Sequence, residues 1–285
     1  MRTFLLDVLK SRASAEAWGW LEKALAATAP PVSAAAVTGH YSAAARRMAK
    51  LALGLTKDEQ ARAMQLTPDL PLGHWGADEA ARACLLLSLT HLPAAEFAAL
   101  ARQCYDLGDS REQESWLRAL ILLPGCERFL DTAMDACRTN ILPLFQAIAC
   151  ENPYPARYFP ELNFNQMVMK ALFNAVAVGR IVGLDGRLNR DLSRIADDFA
   201  AEREAAGRPV PADLWLVHAA HSPPERLERA VRYLKHKDPE QRYWAAVGLG
   251  RSACPEARAA LAERRKAEKD PRVRSTIEAS LARNG

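Results

Sequence analysis

The segment best suited to chemistry is Asn-Pro-Tyr-Pro at residues 152–155, which is followed by Tyr158 and Phe159. Two prolines restrict the backbone and therefore hold the tyrosine rings beside the amide of Asn152. Two interpretations remain open at this point. The aromatic rings either fill the gap between two helices in a rigid turn, or they form a binding patch together with Asn152.

Polar side chains at the start of the next predicted helix extend this candidate patch. Asn165, Gln166 and Lys170 lie there, and Arg138 precedes the proline segment. Such groups near a helix N-terminus are suited to binding an anionic or amide-bearing ligand. The alternative is that they form a polar helix face exposed to solvent. The candidate binding residues are Arg138, Asn140, Asn152, Tyr154, Tyr158, Asn165, Gln166 and Lys170.

Other clusters of reactive residue types favour structural roles. His218 and His221 have the spacing of a metal pair, but the sequence offers no evident third ligand, so we predict a helix end there. The carboxylates at 197–204 lie at ion-pair spacing from arginines, as on a solvated helix face. No G-x-S-x-G, Walker or G-x-G-x-x-G motif occurs. The sequence thus predicts no catalytic residue, no metal site and no cofactor.

Composition bounds the class of protein. The chain has 285 residues, 49% of them apolar, and a formal charge of +4, which is too mild to indicate nucleic acid. The positive charge is concentrated in residues 222–285, which hold 15 Lys and Arg against 9 Asp and Glu. No stretch has the apolar length of a membrane span, and the N-terminal residues read as an amphipathic helix. We therefore expect a cytoplasmic protein with six reduced cysteines, none of them in a C-x-x-C pair.

Helical periodicity dominates the elements that must position these residues. Alternating strand patterns are nearly absent, and Ala-rich and Leu-rich runs are interrupted by Pro, Gly, Asp and Asn. The pattern predicts an all-α fold. Its clearest helices outside the repeats described next fall at about 3–9, 13–27, 43–53, 57–64, 164–176 and 190–206.

A repeat of 31 residues becomes visible from Asp78. Asp78, Asp109 and Asn140 are equally spaced, and so are prolines at 93, 124 and 155. Asp and Asn cap helix N-termini, while Pro suits a first helical turn, so each unit is predicted to be a pair of helices. Periods of this length are typical of helical solenoids.

The C-terminal segment repeats more plainly. Asp238-Pro239 recurs 32 residues later as Asp270-Pro271, and an Arg one turn into each helix can pair with a carboxylate of the adjacent repeat. The pattern resembles HEAT-like repeats of the phycobilisome-lyase type. We predict a HEAT-like helical-repeat solenoid, an α/α superhelix, with an all-helical region at 1–211 and HEAT-like repeats at 212–285 packed on it.

The chain also resembles the EboA family of bacteria. The most specific block lies at 138–173, and the resemblance extends over roughly 1–216. The segments that carry it are Arg-Thr-Asn-Ile at 138–141, Phe-Gln-Ala-Ile at 145–148, the proline segment at 152–155, Asn-Gln-Met-Val at 165–168 with Lys-Ala-Leu-Phe at 170–173, His-Trp at 74–75, Asp-Glu-Ala-Ala-Arg at 78–82, and the Gly-Arg to Leu-Trp segment at 207–215.

The resemblance implies a place in a conserved bacterial gene cluster. Its other products look like a prenyltransferase-type membrane protein and several metabolic enzymes, and the cluster is linked to handling or export of secondary-metabolite precursors. The resemblance assigns no enzymatic activity and no catalytic residue.

These observations favour a non-catalytic interaction scaffold or adaptor in that pathway. The predicted partners are proteins of the same gene cluster, with the inner membrane face left open as the place of contact, and a small-molecule metabolite remains a further option. The first alternative is a carrier or enzyme with a pocket near Tyr154, Asn165 and Lys170. The second is a nucleic-acid-binding solenoid, which is disfavoured because the basic tail lacks a dense basic-aromatic pattern.

Overall fold

The regular elements of the molecule are helices throughout the part that the structure describes. The computed structural model describes residues 1–48 and 51–283. Over these residues it contains seventeen α-helices, short 3-10 turns and one isolated backbone bridge between Ala52 and Gly76, but no strand. The predicted all-α fold is confirmed. The solenoid and its repeats stay predictions.

The chain divides into two compact units by its internal contacts. Unit 1 runs from Met1 to Pro160, and unit 2 begins at Glu161. The predicted boundary after residue 211 separates a family-like region from a repeat tail. This boundary is drawn from sequence patterns and not from internal contacts, so it stays a prediction. The last two residues of the predicted tail lie outside the described part.

Unit 1 is built from ten helices that bury a core of leucines, alanines and large aromatics, including Trp75, Trp116 and Phe145. The helices are α1 (Arg2–Arg12), α2 (Ala15–Ala26), α3 (Ala34–Arg47), α4 (Lys57–Leu66), α5 (Ala77–Leu87), α6 (Ala94–Asp106), α7 (Ser110–Ala119), α8 (Leu130–Arg138), α9 (Leu142–Ala149) and α10 (Tyr154–Tyr158).

Unit 2 packs its described helices around Phe164, Trp215 and Ile277, which are all fully buried. The helices are α11 (Glu161–Phe173), α12 (Arg190–Ala205), α13 (Leu214–Ala219), α14 (Glu228–Tyr233), α15 (Pro239–Leu249), α16 (Pro255–Ala267) and α17 (Pro271–Arg283).

Most predicted helices agree with the structure, and one is corrected. The helix expected at 43–53 begins at Ala34, because the Ser33 side chain accepts a hydrogen bond from the backbone N–H of Ala36 and caps the helix there. It ends at Arg47, and Leu51 and Leu53 are not helical. Two residues of the expected helix, 49 and 50, lie outside the described residues.

The predicted caps of the 31-residue repeat are only partly correct. Asp109 caps α7 by accepting from the N–H groups of Arg111 and Glu112. Asp78, in contrast, lies inside α5, whose cap is Gly76. At the start of α9 the hydroxyl of Thr139, not the amide of Asn140, accepts from a backbone N–H. Asp78 is used instead for a buried ion pair that sequence spacing does not reveal.

The Asp-Pro marks of the tail behave as predicted. Asp238 caps α15, and Asp270 accepts from the N–H of Val273 at the start of α17. Arg242 pairs at 2.9 Å with Glu268, which lies just before Asp270 and so within the 32-residue period that begins at Asp238, not in the adjacent one as predicted. The corresponding Arg274 does not reach another repeat and pairs with Glu278 on its own helix.

Among the described residues, no helix combines the length and the apolar character that a bilayer crossing requires.

Candidate functional site

The proline segment at 152–155 is part of the core of unit 1. Asn152 is 1% exposed, and its Nδ2 donates to the carbonyl oxygens of Leu117 (2.9 Å) and Ala147 (3.0 Å). Its Oδ1 accepts from the N–H of Tyr154 at 3.0 Å. The amide therefore joins α7, α9 and α10, and its hydrogen-bonding groups are used inside the fold.

The tyrosines of this segment are also engaged in unit 1. Tyr154 is fully buried, its hydroxyl donates to the carbonyl of Cys126 at 2.9 Å, and burial raises its pKa. Tyr158 is half-buried with its ring centre 4.8 Å from that of Tyr154. Arg138 and Asn140 are exposed, and Arg138 pairs with Asp135 at 2.5 Å.

The remaining predicted site residues lie on α11 in unit 2. Asn165 is buried and exchanges hydrogen bonds with Asn189, the residue that caps α12. Gln166 is exposed, and Lys170 is half-buried. Five of the eight predicted residues thus belong to unit 1 and three to unit 2. Their binding role stays a prediction.

A polar pocket at the start of α5 offers a more concentrated arrangement of chemistry. We call it the α5 pocket. Its volume is about 310 Å³, and it lies wholly in unit 1. The residues that line it come from three separate segments: Leu51, Ala52, His74, Trp75, Gly76, Asp78, Glu79, Arg111, Glu114, Ser115 and Arg118.

Local backbone geometry explains how this pocket forms. The N–H of Gly76 donates to Oε2 of Glu79 at 2.7 Å, so the glutamate folds back over the helix start. A Cβ at position 76 would lie 2.6 Å from Oδ1 of Asp78, so any larger residue there would displace the Asp78 carboxylate. The carbonyl of Leu51 accepts from the N–H of Ala77 at 2.9 Å and fixes the neighbouring segment.

Buried charges stand directly behind the pocket wall. Arg82 is 1% exposed, and its Nη1 donates to Oδ2 of Asp78 (2.9 Å) and to Oγ of Ser115 (3.0 Å). Its Nε donates to the carbonyl of Tyr41 at 3.1 Å. One guanidinium thus fixes α3, α5 and α7 relative to one another.

A second group of charges lies on α7. Arg118 pairs with Glu79 and lies 3.7 Å from Glu114. Burial raises the pKa of Glu114 despite its arginine neighbours, so this carboxyl takes up a proton more readily than an exposed one. The pocket therefore presents carboxylate acceptors and guanidinium donors within one small space.

Trp75 contributes an unused donor at the same place. The residue is fully buried and belongs to the pocket lining, and its Nε1 has no hydrogen-bond partner among the described residues. A buried N–H without an acceptor costs about 1–3 kcal/mol.

The remaining histidine, acidic and cysteine side chains have structural surroundings. Within the described residues no three His, Cys, Asp or Glu side chains approach closely enough to hold a metal ion. His218 is buried and its Nε2 lies 3.1 Å from Oδ1 of Asp197. Burial raises the pKa of Cys84 and Cys104 to about 12, which keeps these thiols protonated.

Sequence reasoning did not select the α5 pocket as a site, although the resemblance included His-Trp at 74–75 and Asp-Glu-Ala-Ala-Arg at 78–82. The sequence does contain a signal for this pocket, because three charged residues lie in the first turns of a helix that is otherwise apolar on nearly every side. Such a helix is buried all round, so its charges must meet partners inside the fold. The partners Ser115 and Arg118 follow more than 30 residues later and cannot be assigned from spacing.

Fold and pocket together define an all-helical protein with a small polar pocket set into buried charges. The family model described as "Metabolite traffic protein EboA" matches residues 1–219. The chain therefore belongs to the EboA family, and the resemblance noted in the sequence is confirmed. Comparisons with curated proteins and with solved structures give no match. The matched region contains the whole of the α5 pocket.

Proposed function

We propose that this chain binds a small polar metabolite in the α5 pocket and hands it on without transforming it. The observation that carries the proposal is the set of buried charges at the pocket: Asp78 and Glu79 line it, and Arg82 stands behind them. Buried ion pairs add little net stability compared with apolar residues of similar volume. Their value here lies in holding donors and acceptors in fixed positions, and the family description of metabolite traffic fits this use.

The lining indicates the chemistry of the ligand. It combines acidic groups such as Glu114 with basic groups such as Arg111 and Arg118. A ligand that both donates and accepts hydrogen bonds matches such a mixed surface better than one of a single charge. The volume, at the low end of the range for ligand pockets, suits a small hydroxylated or zwitterionic compound.

A thermal-shift screen tests this proposal. The purified chain is incubated with small polyols, monosaccharides and zwitterionic amino acids, since any compound that binds only the folded state raises the melting temperature. We expect a saturable shift for one of these classes, and its loss in Arg111→Gln and Glu114→Gln. Arg102→Gln, an exposed arginine on α6, is the matched control. A shift of equal size in all three variants would place binding elsewhere.

An interaction scaffold remains the second candidate, and α11 supports it. Leu162 is 64% exposed and Phe173 is 71% exposed. With Gln166 and Met169 between them at i+4 and i+7, these side chains form one stripe along the helix. We call it the α11 stripe. The two exposed apolar side chains at the ends of this stripe support a docking surface, and the candidate partners are proteins of the same gene cluster.

Co-purification with those proteins tests the scaffold. A tagged chain carrying Leu162→Ser and Phe173→Ser is expected to lose a cluster-encoded partner that the unchanged chain retains. Leu107→Ser is the control, because Leu107 is 66% exposed but lies in unit 1. Equal recovery of the partner by the double variant and the control would exclude the α11 stripe as the contact.

A further inference from the structure

Unit 2 contains a second pocket that none of the preceding assignments uses. We call it the arginine pocket. Its volume is about 490 Å³, and its walls come from the start of α12, from the segment that follows α13, and from the segment that leads into α16. The basic side chains at its wall are Arg190, Arg194, His221 and Arg226.

The arginines are held in different ways. Arg190 is exposed and has no acidic partner among the described residues. Arg194 pairs with Asp198 at 3.2 Å, and Arg226 lies between Asp197 (3.1 Å) and Asp198 (3.4 Å). Each carboxylate occupies part of a guanidinium that has five N–H donors. Donors therefore remain for a ligand in the pocket.

The carboxylate that positions Arg226 is itself fixed. Asp197 accepts from Nε of Arg229 at 3.0 Å and lies 3.1 Å from Nε2 of the fully buried His218. Burial alone would raise the pKa of Asp197, but the hydrogen bonds from Arg229 and His218 lower it, so the carboxylate stays ionised. Arg226 thus stands at the pocket in a preset position.

The segment that leads into α16 adds neutral donors to the lining. Ser252 is 4% exposed, and its Oγ accepts from the N–H of Cys254, which leaves its own O–H to donate. Cys254 also lines the pocket and is the N-cap of the thirteen-residue α16, with no side-chain cap bond. The positive end of that helix dipole therefore borders the pocket. Pro223 and Pro224 supply an apolar surface beside these donors.

We propose that the arginine pocket binds a phosphate monoester, with the phosphate toward the arginines and the carbon skeleton against the prolines. Three guanidinium groups, a hydroxyl and a helix N-terminus offer more donors than the two oxygens of a carboxylate can accept, whereas a phosphate has three acceptor oxygens. Asp191 at the wall lies 4.0 Å from Nε of Arg194, while Arg190 has no acidic partner among the described residues, so positive charge remains in the lining. This inference does not depend on the function proposed for the α5 pocket.

Calorimetric titration of the full chain tests the proposal. The probes are inorganic phosphate and glycerol 3-phosphate at low salt, where screening is weak. We expect both to bind, and the ester more tightly because of the proline wall. Arg190→Gln and Arg194→Gln should each raise Kd about tenfold, the loss expected for one charge-assisted hydrogen bond. Arg265→Gln, an exposed arginine near the other end of α16, is the matched control and should leave Kd unchanged.

Soluble metabolites and lipids both carry such a phosphate, and vesicles separate the two sources. Phosphatidylcholine vesicles with and without phosphatidic acid are added to the chain and sedimented. Binding that needs phosphatidic acid and is lost in Arg190→Gln supports the site with a lipid phosphate, while binding of glycerol 3-phosphate alone supports it with a soluble one. Absence of any binding, or equal Kd in the pocket variants and Arg265→Gln, overturns the proposal. Neither Arg190 nor Arg194 touches the α5 pocket, so both results stand apart from the test of that site.

Discussion

Both units bury a carboxylate against arginine, but the surroundings differ. In unit 2 the Glu268 side chain is fully buried, and its oxygens accept from Arg242, from Arg264 and from two backbone N–H groups. In unit 1, Asp78 accepts from the buried Arg82 at the edge of a pocket, with the unused donor of Trp75 nearby in the same lining. The ion pair between a carboxylate and an arginine is thus enclosed by protein in unit 2, whereas in unit 1 it borders an open pocket.

This difference separates a structural ion pair from one that supports recognition. Glu268 lies between α16 and α17 and reaches α15 through Arg242, so it holds three helices of the tail together. All of its hydrogen-bonding capacity is used by the protein. The charges around Asp78 leave donors and acceptors in the α5 pocket, and a pocket with such groups is the usual setting of a ligand site.

The largest expected loss of stability follows from removing Glu268, whose ion pairs with arginine are enclosed in unit 2. Glu268→Ala leaves Arg242 and Arg264 facing each other without a carboxylate, and we expect it to lower the free energy of unfolding by about 3–5 kcal/mol. Urea denaturation followed by circular dichroism measures the change. Glu263→Ala serves as the control, because that carboxylate is exposed and should show no measurable loss. If the two variants were equally stable, the ion pairs of Glu268 would make no measurable contribution to the stability of the fold.

The pair beside the α5 pocket should respond in a different way. Arg82→Met strands Asp78 without a partner and is expected to cost about 3 kcal/mol. Adding Asp78→Asn removes the uncompensated charge and should restore most of that stability, while ligand binding in the α5 pocket is still lost. Denaturation and thermal-shift measurements on both variants separate the two effects. A double variant that stays as unstable as Arg82→Met contradicts the argument that these charges serve the pocket.

Lowering the pH should gradually remove the stabilisation that the ion pairs of Glu268 provide. Burial by itself would raise the pKa of Glu268, but hydrogen bonds, first of all from Arg242, lower it from its ordinary 4.5 to about 2. The unfolded state therefore binds the proton first, and the stabilisation is complete above pH 4.5 and is lost as the pH falls toward 2. The stability difference between the unchanged chain and Glu268→Gln should shrink over this range. A difference that is constant with pH would rule out a lowered pKa.

The smallest expected effect concerns an unsatisfied hydroxyl in unit 1. Thr132 on α8 is 6% exposed, and its Oγ1 has no partner among the described residues. Thr132→Val keeps the shape and removes the hydroxyl, so the free energy of unfolding should rise by up to about 1 kcal/mol. Thr28→Val is the comparison, because the buried Thr28 donates to the carbonyl of Leu25 at 2.7 Å and should lose stability when changed. If both changes raised the free energy of unfolding, the hydrogen bond of the threonine hydroxyl would not determine whether its removal stabilises or destabilises the protein.

The sequence predicted those features that depend on neighbouring residues. The cap at Asp109, the Asp-Pro starts of α15 and α17, and the end of the helix predicted at 190–206, which Gly207 follows with a φ of +65°, are all local. Each follows from the backbone groups that one side chain can satisfy within a turn or two. The start of α3 at Ala34 is equally local, because its cap is the adjacent Ser33, but the predicted helix began at about residue 43 and missed it.

Only the tertiary structure decided where the polar groups point. Asn152 looked available for binding, yet its amide meets the carbonyl of Leu117, which lies 35 residues earlier in the chain. Asp78 had the spacing of a cap but pairs with Arg82, because Gly76 already begins the helix. The α5 pocket joins segments around residues 51, 75 and 115, and no local rule relates them. Sequence sets the helices through short-range hydrogen bonds and periodicity, whereas packing between distant helices determines which polar atoms are satisfied inside and which remain for a ligand.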